Sequence, residues 1–236
     1  MKILAVEFSS AQRSVAVWEA GGSAASPALL GSALQPPLPR LVNSQFTTQN
    51  PPFSSQRSLG LVEEALAGAN CRREEIGALA VGLGPGSYTG IRGAIALAQG
   101  WQLGRGIRLL GVSSVECLAA QARAEGRRGP VSIVVDAQRS EFYLARYDLS
   151  ETGWRETEAL GLAPLARIQA LAAAGEALLG PDIARWVDGG RDLYPAAAML
   201  GRLACARRDF VAGETLEPIY LRETAFKKAP PSRLSC

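Results

Sequence analysis

The chain has 236 residues, 47% of them hydrophobic and 20% charged, with a net charge of +3. That suffices for one large domain or two small lobes, and the charge is too weak to imply nucleic-acid binding by itself. No run of eighteen apolar residues occurs, so no membrane span is expected, and histidine is absent, which excludes Ser–His–Asp and Cys–His catalysis and paired-histidine metal motifs.

The opening "MKILAVEFSS" is too short in its apolar run for a signal peptide and reads as a first buried strand. "KILAVEF" and "SVAVWEA" (residues 14–20) flank a short polar turn and predict a β-hairpin. Residues 20–56 hold six prolines and a single charged residue, Arg40, which reads as a long irregular connection with room for one strand. Apolar residues at Leu59, Val62, Leu66 and Ala69 predict a helix over 54–70. "IGALAVG" (76–82) is a buried strand. A helix follows to about Gly104, with Thr89 as its cap, and then a strand over 107–112. Ser113 and Glu116 have the spacing of a capping box for a helix to about Glu125.

Residues 131–137 and 141–148 predict a second hairpin around "QRS". Residues 164–175 form a helix with proline in its first turn, "EALLG" a short strand, residues 194–210 a helix, and "PIYLR" near the C-terminus an edge strand. Hairpins followed by alternating helices and strands occur twice, which predicts an α/β protein of two similar lobes. The four cysteines (Cys71, Cys117, Cys205, Cys236) are far apart with no CxxC, the pattern of a reducing cytoplasm.

"GLGPGSYTGIRG" (82–93) invites a phosphate-cradle reading. A P-loop needs GxxxxGK[ST], and lysine occurs only at Lys2, Lys227 and Lys228. A dinucleotide fingerprint needs an acidic residue about 20 residues on, where the chain has Gln102. The turn still offers N–H groups to an anion at a helix start. Behind it, Gly93, Ala96, Gly100 and Gly104 recur at intervals of three, four and four, a face with almost no side chains. Glycine inside a helix costs about 1 kcal/mol relative to alanine, which makes sense where another element approaches closely. That element is either the chain's own fold or a second protein.

"MKILAVEFSSAQRSVAVW", "AVGLGPGSYTGIRGAIALAQGWQLG", "LLGVSSVECLA", "VVDAQRSEFYLARY" and "EPIYLRETAFKK" stand in this order at these spacings. Together they resemble the bacterial TsaB (YeaZ) family, for which glycoprotease-like (M22) peptidase is an older name. The resemblance implies two RNase H-like lobes of the actin/Hsp70/sugar-kinase (ASKHA) type. They are expected at residues 1–106, completed by a segment near 194–236, and at 107–193. It implies a cytoplasmic, non-catalytic partner of the TsaD enzyme, which with the TsaE ATPase transfers a threonylcarbamoyl group to the tRNA adenosine beside the anticodon. No resident metal or cofactor is implied, ATP or ADP entering only at a complex interface, and tRNA contact is indirect.

In the family, the helix after the glycine-rich turn and the helix near 56–69 pair with TsaD, or with a second copy when TsaD is absent. Carried onto this chain, that surface is Gln56, Leu59, Val62, Glu63, Leu66, Tyr88, Thr89, Arg92, Gly93, Ala96, Leu97 and Gly100. Arg57 and Arg92 are either rim ion-pair partners or solvated arginines. A remnant nucleotide cleft would be Glu7, Ser9, Ser10, Gly84, Gly86, Ser87 and Asp136. ATPases of this fold carry D-x-G in the first hairpin turn, where this chain has Glu7-Phe8-Ser9 and no glycine. Glu7 and Asp136 are either a pair across the cleft, able to bind a metal or share a proton, or ordinary strand-end carboxylates. As the alternative function, the cleft would make the chain a weak ATPase; a peptidase lacks an obvious base. Two departures stand out. "FSSQRS" lacks the histidine that relatives carry there, and the 20–56 connection is longer than usual.

Overall fold

The computed structural model describes residues 1–21, 26–36 and 55–221. The first lobe is a five-stranded sheet of β1 (Lys2–Glu7), β2 (Arg13–Glu19), β3 (Ala28–Gln35), β4 (Ile76–Gly82) and β5 (Arg108–Val112), in the order β3-β2-β1-β4-β5. β1, β2 and β3 form an antiparallel meander, while β4 runs parallel to β1 and β5 parallel to β4. Helices α1 (Ser55–Gly68) and α2 (Tyr88–Arg105) cover one face of this sheet. Their apolar sides join Leu4, Val6, Val15, Val17, Leu79 and Val81 in one core, so β1 alternates its residues between two cores as the two-residue strand period requires. The opposite face, through Ile3, Ala5, Ala16 and Trp18, receives α5 (Ala197–Cys205).

The second sheet repeats the plan. It contains β6 (Gly129–Asp136), β7 (Glu141–Leu149), β8 (Trp154–Pro164), β9 (Ala177–Gly180) and β10 (Arg191–Asp192), in the order β10-β9-β6-β7-β8. β6, β7 and β8 are again an antiparallel meander, and β9 and β10 again run parallel beyond β6. Read from its β8 edge, this is the strand order of the first sheet. Two five-stranded mixed sheets of one topology are the duplicated RNase H-like plan of the ASKHA type. α3 (Ser114–Ala124) packs on one face of the second sheet and α4 (Leu165–Ala173) on the other. α3 also touches α5, and its Cys117 lies in the α5 core.

Several local expectations change. β5 belongs to the first sheet, so the first lobe reaches past the boundary expected at 106. Strand β8 carries no alternating signal: most of it is exposed at a sheet edge, and its register with β7 shifts twice. Residues 218–221 of "PIYLR" form no strand, and Arg222 lies outside the described residues. Ser113 precedes α3 but its side chain makes no capping bond, so the capping box does not form. The cap of α2 is Ser87, whose Oγ accepts from the Gly90 N–H at 3.3 Å, and Thr89 lies inside the first turn.

Candidate functional site

β1 ends on Glu7, whose side chain is fully buried. Its carboxylate accepts from the Ser9 N–H at 2.8 Å and from the Ser114 hydroxyl at 2.8 Å. Burial pushes its pKa up; the hydrogen bonds from Ser9 and Ser114 pull the other way without cancelling the rise. Gly82, the end of β4, leaves the room: a Cβ there would strike the Glu7 carboxylate. Ser114 Oγ also accepts from the Gly84 N–H at 3.1 Å, and the Ser114 N–H returns a bond to the Gly84 carbonyl at 2.8 Å. Gly84 sits at φ +85°, a conformation that glycine adopts without strain. One buried carboxylate thus ties together the end of β1, the glycine-rich turn and the start of α3.

The same turn is filled by the chain itself. The Ser87 N–H donates to the Ser9 carbonyl at 2.6 Å. A Cβ at Gly86 would collide with the Ser9 carbonyl, and one at Gly90 with the Phe8 carbonyl. These glycines therefore clear the backbone of the β1–β2 turn, whose Ser9 carbonyl takes up the N–H of Ser87, the residue that caps α2. Ser10 turns away, its Oγ donating to the Gln12 carbonyl at 2.8 Å.

α2 buries Gly90, Ile91, Ala94, Ile95 and Ala98. Its outer side leaves Tyr88, Thr89, Arg92, Ala96, Gly100, Leu103 and Gly104 exposed, with Gly93 half-buried between them. A Cβ at Gly100 or Gly104 would meet nothing within 4 Å. Beside α2, α1 presents Leu59 and Glu63 outward, Glu63 ion-paired with Arg73.

A relative named tRNA threonylcarbamoyladenosine biosynthesis protein TsaB, from Escherichia coli, is 32% identical over 98% of this chain and 99% of its own length. The chain belongs to the TsaB family. A TsaB from Haemophilus influenzae is 28% identical over 75% of the chain and 83% of its own length. A family model described as TsaD: tRNA N6-adenosine threonylcarbamoyltransferase matches residues 53–180. The solved structure of YeaZ from Pseudomonas aeruginosa superposes with a TM-score of 0.71 at 26% identity, covering 93% of this chain and 99% of that one.

Against this TsaB frame, the residues carried over by resemblance separate into two groups. Val62 and Leu66 are core residues of the first lobe, because α1 turns them onto the sheet, so they leave the surface set. Leu97 is half-buried against the same core. Leu59, Glu63, Tyr88, Thr89, Arg92, Ala96 and Gly100 are exposed. Gln56 and Arg57 lie on α1, but their side chains fall outside the described residues. Glu7 and Asp136 do not face each other. Glu7 is sealed inside, whereas Asp136 is exposed and accepts the Gln138 N–H at 2.6 Å. Among the described residues no group of three acidic or cysteine side chains is placed to hold a metal.

A cleft of about 390 Å³ opens where Ser113, Val115 and Glu116 meet Tyr147, Trp154, Glu156, Leu160 and Ile219. Burial raises the pKa of Glu116, which Arg207 faces at 3.5 Å, and burial likewise pushes the Tyr147 phenol up. Sequence reasoning also missed Tyr220, which lies beside Tyr88 with the ring centroids 6.0 Å apart. The tyrosine in "EPIYLR" was legible, but its neighbour lies 132 positions earlier in the chain.

Proposed function

We propose that this chain is the non-catalytic partner of a TsaD-like threonylcarbamoyltransferase, docking through the outer sides of α1 and α2. A role in tRNA threonylcarbamoyladenosine biosynthesis accompanies membership of the TsaB family. The observation that carries the docking surface is the outer side of α2. Ala96, Gly100 and Gly104 face solvent, and a Cβ at Gly100 or Gly104 would meet nothing within 4 Å, so among the described residues these positions serve no packing. A bare helical face lets a second helix approach closely and bury apolar area at a standard-sized interface. The filled glycine turn and the sealed Glu7 carboxylate support a supporting role over a nucleotide-hydrolysing one. In this reading the protein is cytoplasmic and pairs with itself through the same face when alone. A TsaE-like ATPase and any nucleotide join at the assembled complex, and tRNA is met through the partner.

Ala96→Arg tests the reading, because Ala96 is exposed and the change leaves the core intact. The variant is expected to keep its thermal midpoint, to stop co-purifying with a co-expressed TsaD-like subunit from the same source, and to fail in reconstituted tRNA modification. Undiminished co-purification would overturn the surface. Turnover of magnesium-ATP by the isolated chain, lost in Glu7→Ala, would overturn the non-catalytic assignment.

A further inference from the structure

The segment after α5 runs as a strap along α2. Val211 bridges to Leu109 of β5. The Gly213 N–H donates to Gln102 Oε1 at 2.7 Å, and Gln99 Nε2 donates to the Gly213 carbonyl at 2.8 Å, which fastens the strap to the second half of α2. Leu216 enters the core beneath α2. The Ile219 N–H then reaches the Leu83 carbonyl at 2.8 Å, on the turn that leads into α2. Up to this point the strap is held by bonds and buried side chains.

The next two residues behave differently. Tyr220 is 46% exposed and Leu221 is 41% exposed, beside Tyr88 at 52%. Large apolar side chains scattered singly on a surface need no explanation, but neighbouring ones mark a contact. Arg92, one turn along α2, donates to the Tyr88 hydroxyl at 3.0 Å and lies 5.3 Å from its ring centre. That bond orients a guanidinium which, among the described residues, faces no carboxylate. Tyrosine and arginine around an apolar centre are the composition of an interface hot spot.

We infer that Tyr220 and Leu221 at the end of this strap extend the α2 docking face. The TsaD-like partner would set an apolar side chain against Tyr88, Tyr220 and Leu221 and a carboxylate against Arg92. The inference rests on the docking reading above and adds to it a second chain segment. It makes the strap's attachment at Gly213 and Ile219 part of partner recognition, because those bonds fix where Tyr220 stands relative to Tyr88.

The test uses the full chain carrying Tyr220→Ser and Leu221→Ser together, titrated against the purified TsaD-like subunit. Both side chains are exposed, so the thermal midpoint is expected to stay within a degree or so, while the partner affinity falls about tenfold or more, as for loss of hot-spot side chains. Unchanged affinity in this variant, with pairing abolished by Ala96→Arg, would overturn the strap's role and leave the α2 reading standing. Unchanged affinity in both variants would overturn the docking reading itself. A lowered midpoint accompanying the lost affinity would make the two residues structural and overturn the inference. Retained partner affinity with weakened binding of tRNA would also overturn it, since stacked bases would then be what the tyrosines meet.

Discussion

β1 and β6 hold the same place in their two sheets, and each ends in a carboxylate, Glu7 in one and Asp136 in the other. Glu7 is sealed beneath the glycine-rich turn that follows β4. Asp136 stands in solvent before a turn in which Gln138, Arg139 and Ser140 all have positive φ. The fourth strands diverge in the same way. β4 leads through Gly84-Pro85-Gly86 into the eighteen-residue α2, whereas β9 leads through Gly180-Pro181-Asp182 into a single 3-10 turn, Ile183–Arg185. Residues 88–105 are rich in alanine, leucine and isoleucine and can propagate a helix. In the second lobe the turn stops at Arg185 and the chain runs on through Trp186-Val187-Asp188-Gly189-Gly190, a segment with no alanine or leucine to propagate a helix. One topology therefore supports two outcomes. The first lobe closes its hairpin turn and raises a long helix whose outer side is uncovered among the described residues, and the second leaves its turn open and raises none.

The sharpest way to break this contrast is at the glycines. Gly90→Val places side-chain atoms on the Phe8 carbonyl and should destabilise by more than about 3 kcal/mol, the upper range for overpacking. Gly100→Ala, ten residues along the same helix, meets nothing and should stabilise by about 0.5–1 kcal/mol through helix propensity. Urea unfolding of both variants checks the pair, and equal effects would erase the distinction between the two faces of α2.

The carboxylates come next. Glu7→Ala strands the Ser9 N–H and the Ser114 hydroxyl in the interior and should cost about 2–4 kcal/mol, whereas Asp136→Ala should cost under about 0.5 kcal/mol. The pH dependence follows from burial. Glu7 has its folded pKa raised above the unfolded value, so it binds its proton more tightly in the folded state. Its contribution is fully present below the unfolded pKa and is lost as pH rises through the folded one. Glu7→Gln should flatten that decline, as measured by thermal midpoints from pH 4 upward.

The smallest difference concerns the start of α2. Ser87→Ala removes the capping oxygen and should cost about 1 kcal/mol, while Thr89→Ala should change stability by less than about 0.5 kcal/mol. Differential scanning calorimetry resolves the two; equal losses would return the cap to Thr89.

How much of the site was legible follows from the range of the forces involved. The hairpins, α1, α2 and α3 were legible because each buries one face and writes a period of two or 3.6 into its residues. The bare outer side of α2 was legible for the same reason, since Gly93, Ala96, Gly100 and Gly104 keep that period. Which way the side points was not, because a stripe of small residues suits an internal neighbour and an external one equally. Nor did spacing separate Leu59, which faces out, from Val62 and Leu66, which face the sheet.

The sequence by itself determined the α/β duplication, the family resemblance and the lack of histidine and lysine chemistry around the glycine-rich turn. Composition and local periodicity are properties of the chain alone. Tertiary structure decided that Gly82, Gly86 and Gly90 clear Glu7 and the Phe8 and Ser9 carbonyls, that Glu7 binds Ser114, and that Tyr220 stands beside Tyr88. Each of these is a contact between segments far apart in the chain, and steric exclusion and buried hydrogen bonding act only once folding has brought those segments together.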